Sequence, residues 1–205
     1  VRHAAPQVAP GTCYGTLDVA ADPAATRHAA ERLAAALPAG ARVFHSPLQR
    51  CEQLALGLQV LRPDLPSNPD PRLREMDFGR WEGQPWDHIG RDAIDAWTAA
   101  FASHRPGDGE NLAAVLARVA AALQDHRRAG RQATPASDDV VWITHAGVIR
   151  SVAWLQAHGM EGALPRPEEW PLAAPGWGEW TITALGPALP GPTGPTGLAD
   201  PAAGP

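Results

Sequence analysis

Lysine is absent from the 205 residues, so all 17 positive side chains are arginine. Cysteine is nearly absent too. Cys13 and Cys51 make neither a disulfide framework nor a paired-cysteine metal site, and both read as reduced and structural. No run of about 18 apolar residues occurs, which excludes a membrane-spanning helix of the usual kind, and no membrane partner is expected. The opening VRHAAPQVAPG lacks the basic-then-apolar pattern of a secretory leader, so a cytoplasmic location is expected. Charge is sparse at 19% of residues and sums to −5, which disfavours a general nucleic-acid binder. A local cationic pocket remains open, because the rigid, permanently charged arginine fork suits phosphate.

What is present is enough apolar residue, 44%, to bury one core. Composition changes after Leu185, where GPALPGPTGPTGLADPAAGP is too poor in bulky apolar residues to fix itself. The expected organisation is one domain over residues 1–185 and a disordered tail over 186–205. Within the domain, helix and strand signals alternate. Asp22 as N-cap and Pro23 at the first helical position open a helix to about Leu37. Arg42 to His45 reads as a strand, and Ser46-Pro47-Leu48-Gln49 as the capping box of a helix to about Leu61. A Pro/Asp/Asn loop from Arg62 to Pro71 leads to a short extended piece, Leu73 to Met76. Apolar spacing then predicts helices over Asp92 to Phe101 and Asn111 to about Arg128. Val140 to Thr144 is a β-branched run that reads as a strand buried on both faces; a helix over Val148 to His158 and a last strand over Trp177 to Leu185 follow. This order predicts an α/β fold, a mainly parallel central sheet between two helical layers, with ligands off the carboxyl ends of the strands.

At such ends stand His3, after Val1-Arg2, and His145, after Val140 to Thr144; Arg50 lies just inside the helix that follows His45. Two arginines and two histidines can surround a phosphoryl group, with paired charged donors on its oxygens and an imidazole to attack phosphorus. Taken singly, each has a plainer reading: a structural histidine after a strand, a surface arginine on a helix.

Four motifs occur in one order: Arg2-His3-Ala4; Ser46 to Cys51 (SPLQRC); Leu73 to Gly83 (LREMDFGRWEG); and Thr144 to Gly147 (THAG). On these the chain resembles the histidine phosphatase superfamily, also called phosphoglycerate mutase-like. Within it, Cys13 to Asp18 (CYGTLD) and LREMDFGRWEG are most similar to α-ribazole phosphatases, which act in cobalamin nucleotide-loop assembly. The resemblance implies a three-layer α/β/α sandwich. It implies His3 as the nucleophile, Arg2, Arg50 and His145 around the phosphoryl group, and Glu75 as the proton donor, partly buried among Met76, Phe78 and Trp81. Glu82 is left as a loop-ordering carboxylate, and Glu110 is similar to a loop residue bordering the site. No metal or other cofactor is implied. The implied activity is a hydrolase acting on a small phosphomonoester, most specifically α-ribazole 5′-phosphate. The alternatives are a broad-specificity phosphatase, a phosphoglycerate mutase-like enzyme, or a non-catalytic phosphate-binding protein.

The sequence departs from the family pattern in three places. Ala4 stands where a glycine usually follows the nucleophile. Ala5, Pro6, Gln7 and Ala9 replace polar residues, among them a phosphate contact that Gln7 or the backbone of the Gly11 to Gly15 loop would have to supply. The apolar residues that usually precede Arg-His are missing, so the first strand is expected to be truncated and the reading frame to begin upstream of Val1. Trp142 and Trp154 read as core, whereas one of Trp81 and Trp86, beside the expected acid, is a candidate to line a leaving-group pocket.

Overall fold

The computed structural model describes residues 1–132, 139–160 and 162–184. Leu185 and the stretch expected to be a disordered tail lie outside the described residues. Among the described residues the regular elements are α1 (Pro23–Ala36), β1 (Arg42–His45), α2 (Gln49–Leu61), β2 (Ser67–Pro69), α3 (Arg91–Ala99), α4 (Leu112–Gln132), β3 (Val140–Ile143) and α5 (Ala146–His158), with short 3₁₀ turns between them.

The three strands form a parallel sheet in the order β2-β1-β3. Residues 1–3 extend it beside β3: Arg2 bridges Thr144 in parallel, Thr144 N–H donates to the Val1 carbonyl at 2.8 Å, and His3 N–H donates to the Thr144 carbonyl at 3.0 Å. Each strand turns its side chains alternately to two faces, and each face has its own core. Val43, Val141 and Ile143 pack under Ala29, Ala30 and Leu33 of α1 and Leu54 and Leu58 of α2. On the other face Trp142 meets the core that α4 and α5 build from Val115, Val119, Leu123, Val148, Trp154 and Leu155. Phe44 stacks on His126 of α4, with ring centroids 3.6 Å apart. This is the expected α/β architecture with two helical layers.

Local signals fix several boundaries. Asp22 caps α1, its carboxylate accepting from Ala25 N–H at 2.7 Å, with Pro23 in the first turn. The small residues of α1 and α2 permit a close crossing: a Cβ added at Gly57 would lie 3.2 Å from the Ala30 Cβ.

Five expectations are corrected. α2 starts at Gln49 with Leu48 at the cap position and no side-chain cap, because the helix begins too late for Ser46, whose hydroxyl accepts from Leu48 N–H rather than from the first turn. Ser67–Pro69, inside the expected loop, is a strand, since the open edge of β1 pairs with it. Leu73 ends a 3₁₀ turn rather than opening an extended piece, because Asp70 caps Arg72 N–H at 2.8 Å. The last strand does not form over Trp177 to Ala184: the backbone meets residues 2 and 3 only through the amide of Arg2 on Glu179 and of Gly178 on Arg2 and His3. Residues 181–184 are all exposed, Ile182 at 92%, so no burial holds the segment in a ladder. β3 is also fully buried on one face only; Val141 and Ile143 are buried while Val140 and Trp142 are partly buried, Trp142 against the second core. Trp154 is core, and Trp142 is partly so. No helix among the described residues is long and apolar enough to cross a membrane.

Leu54 is fully buried between the helices and the sheet, whereas Leu56, two residues on, is 55% exposed. Leu54→Ala should cost about 2 to 5 kcal/mol in urea unfolding, and Leu56→Ala under about 0.5 kcal/mol. Equal losses would contradict the packing described.

Candidate active site

The carboxyl ends of β3 and of the residue 1–3 segment bring His3 and His145 together, with ring centroids 5.2 Å apart. Both are buried. His3 Nδ1 lies 2.7 Å from its neighbour's carbonyl, Ala4 O. A carbonyl only accepts, so Nδ1 carries the ring proton and the Nε2 lone pair is left free. Burial, reinforced by the charge of Arg50, lowers the His3 pKa to about 3, so the ring is neutral.

His145 sits where β3 hands over to α5. Ser46 Oγ accepts from Leu48 N–H at 3.3 Å, which leaves its own proton for His145 Nε2, 2.8 Å away. The pKa of His145 is held well below the usual 6.5 by burial first and by Arg50 and His3 next. Cys51 Sγ is 3.5 Å from the same nitrogen. Its thiol is pushed up to about 12 by burial, and both cysteines are free, in keeping with a reduced, structural reading.

Arg50 is fully buried beside both imidazoles, but its guanidinium is not simply open to a ligand. Nη2 donates to the Gly15 carbonyl at 2.6 Å and Nη1 to the Leu17 carbonyl at 2.9 Å, with Tyr14 beneath at 5.4 Å. The loop that supplies those carbonyls is tied down by Glu82. Its carboxylate accepts from Thr16 N–H at 2.8 Å, from Phe78 N–H at 2.9 Å and from Leu17 N–H, the loop-ordering part expected of it. Gly15 leaves no room for a side chain, since a Cβ there would lie 1.9 Å from the Met76 carbonyl. Arg2 donates to Pro175 O at 3.1 Å and lies over the Trp177 ring at 5.4 Å.

Glu75 reaches the same place from the segment after the Pro71–Leu73 turn. It is half-buried, and its carboxylate accepts from Met76 N–H and Gly147 N–H, both at 3.0 Å. The fit to Gly147 is close. A Cβ at that position would stand 2.2 Å from Glu75 Oε1, so the glycine after His145-Ala146 is a requirement of the carboxylate rather than of the backbone.

Arg2, His3 and Glu75 line one end of a cavity of about 310 Å³. Its other walls are largely aromatic, with Phe78, Trp86, Trp97, Phe101 and Trp170. Trp86 and Trp97 lie nearly parallel, 13° apart at 6.4 Å. Trp81 packs edge-on behind Trp86 and does not reach the cavity, so of the two tryptophans singled out from sequence only Trp86 lines it. Arg50 and His145 stand behind the wall. Gln7 is exposed and away from it, whereas Thr12 of the Gly11 to Gly15 loop lines it. Sequence reasoning missed Arg150, which also lines the cavity. Helical spacing held the signal, because residues 146, 147 and 150 share one face of α5.

The family model of the histidine phosphatase superfamily (branch 1) matches residues 1–174. Among solved structures, a mycobacterial glucosyl-3-phosphoglycerate phosphatase aligns at TM-score 0.66 and 27% identity, over 78% of each chain. A protein of Thermus thermophilus aligns at 0.59 and 27% over 82% of this chain and 86% of its own. A mycobacterial hydrolase aligns at 0.65 and 26% over 76% of each. No curated protein matches the chain in sequence.

The buried neutral histidines make stability depend on pH. An unfolded histidine takes up a proton near pH 6.5, whereas His3 resists until about 3, so protons bind the unfolded chain first as pH falls. Stability should therefore be complete above about pH 7 and fall below 6.5 by about 1.4 kcal/mol per pH unit for each such histidine. Ring NMR signals of ligand-free His3 and His145 should not titrate between pH 5 and 8; a midpoint for His3 above 5 would contradict the burial described.

Proposed function

The chain belongs to the histidine phosphatase superfamily, and on that footing we propose that it is a metal-independent phosphomonoesterase working through a phosphohistidine at His3. The observation that carries this reading is the Nδ1–H bond of His3 to Ala4 O, which leaves a neutral Nε2 lone pair at a cavity edged by Arg2 and Glu75. Nε2 attacks phosphorus as the bond from phosphorus to the ester oxygen breaks. Glu75 gives its proton to the departing alcohol oxygen. Water then attacks the phosphohistidine, Glu75 takes a proton back, and inorganic phosphate and neutral His3 are restored. Arg2 at the cavity meets charge on the phosphoryl oxygens, with the positive field of Arg50 and the neutral ring of His145 completing the phosphoryl site. Arg50 acts from behind, its carbonyl partners fixing where its charge stands.

For substrate, the aromatic walls support α-ribazole 5′-phosphate, whose leaving group carries a flat ring that Trp86 and its neighbours can cover. Arg150 favours a second reading. It is a cation in the same cavity, able to meet the carboxylate of a phosphoglycerate.

Phosphate release from α-ribazole 5′-phosphate, 3-phosphoglycerate and p-nitrophenyl phosphate, in excess chelator, separates these readings. Chelator-resistant release led by α-ribazole 5′-phosphate, lost in His3→Ala, is expected; preference for 3-phosphoglycerate would move the assignment to the second reading. Retained phosphate binding with no acid-labile phosphoenzyme would instead indicate a non-catalytic binding protein. Gly147→Ala should lower kcat/KM about 10²-fold by displacing the Glu75 carboxylate, while inorganic phosphate inhibits at a concentration within about twofold of wild type.

A further inference from the structure

Residues 75–78 have no helix or ladder of their own, so the position of Glu75 depends on bonds from outside the segment. One partly buried ion pair supplies several of them. Arg118 of α4 grips the Glu110 carboxylate with Nε and Nη2, at 2.8 and 2.9 Å. The same guanidinium donates through Nη1 to the Arg72 carbonyl at 2.6 Å and through Nη2 to the Glu75 carbonyl at 3.2 Å. Glu110 N–H donates to the Asp77 carbonyl at 2.7 Å. The segment is thus tied at residues 72, 75 and 77 to one pair, whose side chains are only 16% and 22% exposed.

We infer that Arg118, oriented by Glu110, is a positioning residue for Glu75; the inference rests on Glu75 being the proton donor. Arg118 touches the Glu75 backbone rather than its carboxylate, and its charge is spent on Glu110. Its effect is therefore placement, which matters because a shift of about 1 Å at a proton donor can cost about 10²-fold in rate. Backbone hold at Arg118 and carboxylate hold at Gly147 together leave Glu75 one location. A lysine could not reproduce the four directed bonds, because its ammonium has neither the planar fork nor the donor count.

Phenyl phosphate and p-nitrophenyl phosphate test this, being matched in shape while phenolate is the poorer leaving group and needs the proton more. kcat/KM reports the step in which the alcohol leaves. Glu75→Gln sets the benchmark and should lose far more on phenyl phosphate than on p-nitrophenyl phosphate. Arg118→Met should lose about 10-fold on phenyl phosphate and under about 3-fold on p-nitrophenyl phosphate, with inhibition by inorganic phosphate within about twofold. Arg118→Lys should recover part of the loss. Glu110→Gln, which keeps the shape of the pair, should show the same selectivity at smaller size and serves if Arg118→Met fails to fold. Equal losses on both substrates, or no loss in the folded variants, would overturn the positioning role. A benchmark variant without leaving-group selectivity would instead remove Glu75 as the donor, and this inference with it.

Discussion

Three basic side chains, His3, Arg50 and His145, are buried at one end of a parallel sheet, and arginine cannot give up its proton there. A buried cation needs acceptors, and Arg50 finds them in the carbonyls of Gly15 and Leu17. That single requirement organises much of the neighbourhood. It pins the loop before α1, and Glu82 secures the loop from the other side. Both imidazoles are neutral, through their own burial first and the charge of Arg50 next. Neutral imidazoles can then be assigned single tautomers by one partner each, Ala4 O for His3 and Ser46 Oγ for His145.

The sheet and its two cores place these parts on separate supports. α1 and α2 cover the face of Val43, Val141 and Ile143, and so fix Arg50 and Ser46 relative to β1. α4 and α5 form the second core, which carries Arg118, Gly147 and Arg150. The segment bearing Glu75 lies between the supports and takes its position from both, through Gly147 on α5 and Arg118 on α4. Glu75 and His3, the proposed proton donor and nucleophile, therefore come together only when both faces of the sheet are packed.

The aromatic half of the cavity has a different physical character. Phe78, Trp86, Trp97 and Phe101 contact one another edge-on or stacked, which gives the wall shape without charge. Short-range packing of this kind discriminates ligands by outline and ring content, whereas the arginine and histidine end discriminates by charge. The proposed reaction uses the second for the phosphoryl group and leaves the first to choose the alcohol.

Local chemistry made a large part of this protein legible in its sequence. Asp22-Pro23 predicts the start of α1, the β-branched run predicts β3, and helical periodicity predicts α4, because each depends on residues within a few positions of one another. The motif residues His3, His145, Arg50 and Glu75 were also identifiable, and the fold brings them to one end of the sheet. What tertiary structure alone decided depends on partners far away in the chain. Ser46, two residues short of the cap position of α2, donates its hydrogen bond to His145, 99 residues on. Trp177 to Ala184 carry strand character but make only isolated backbone bonds to residues 2 and 3, so propensity does not become a strand. Trp86 rather than Trp81 reaches the cavity, and Arg118 reaches the backbone of Glu75 across 43 residues. Spacing along the chain carries no information about such contacts, because they are set by how separate elements cross once both cores have closed.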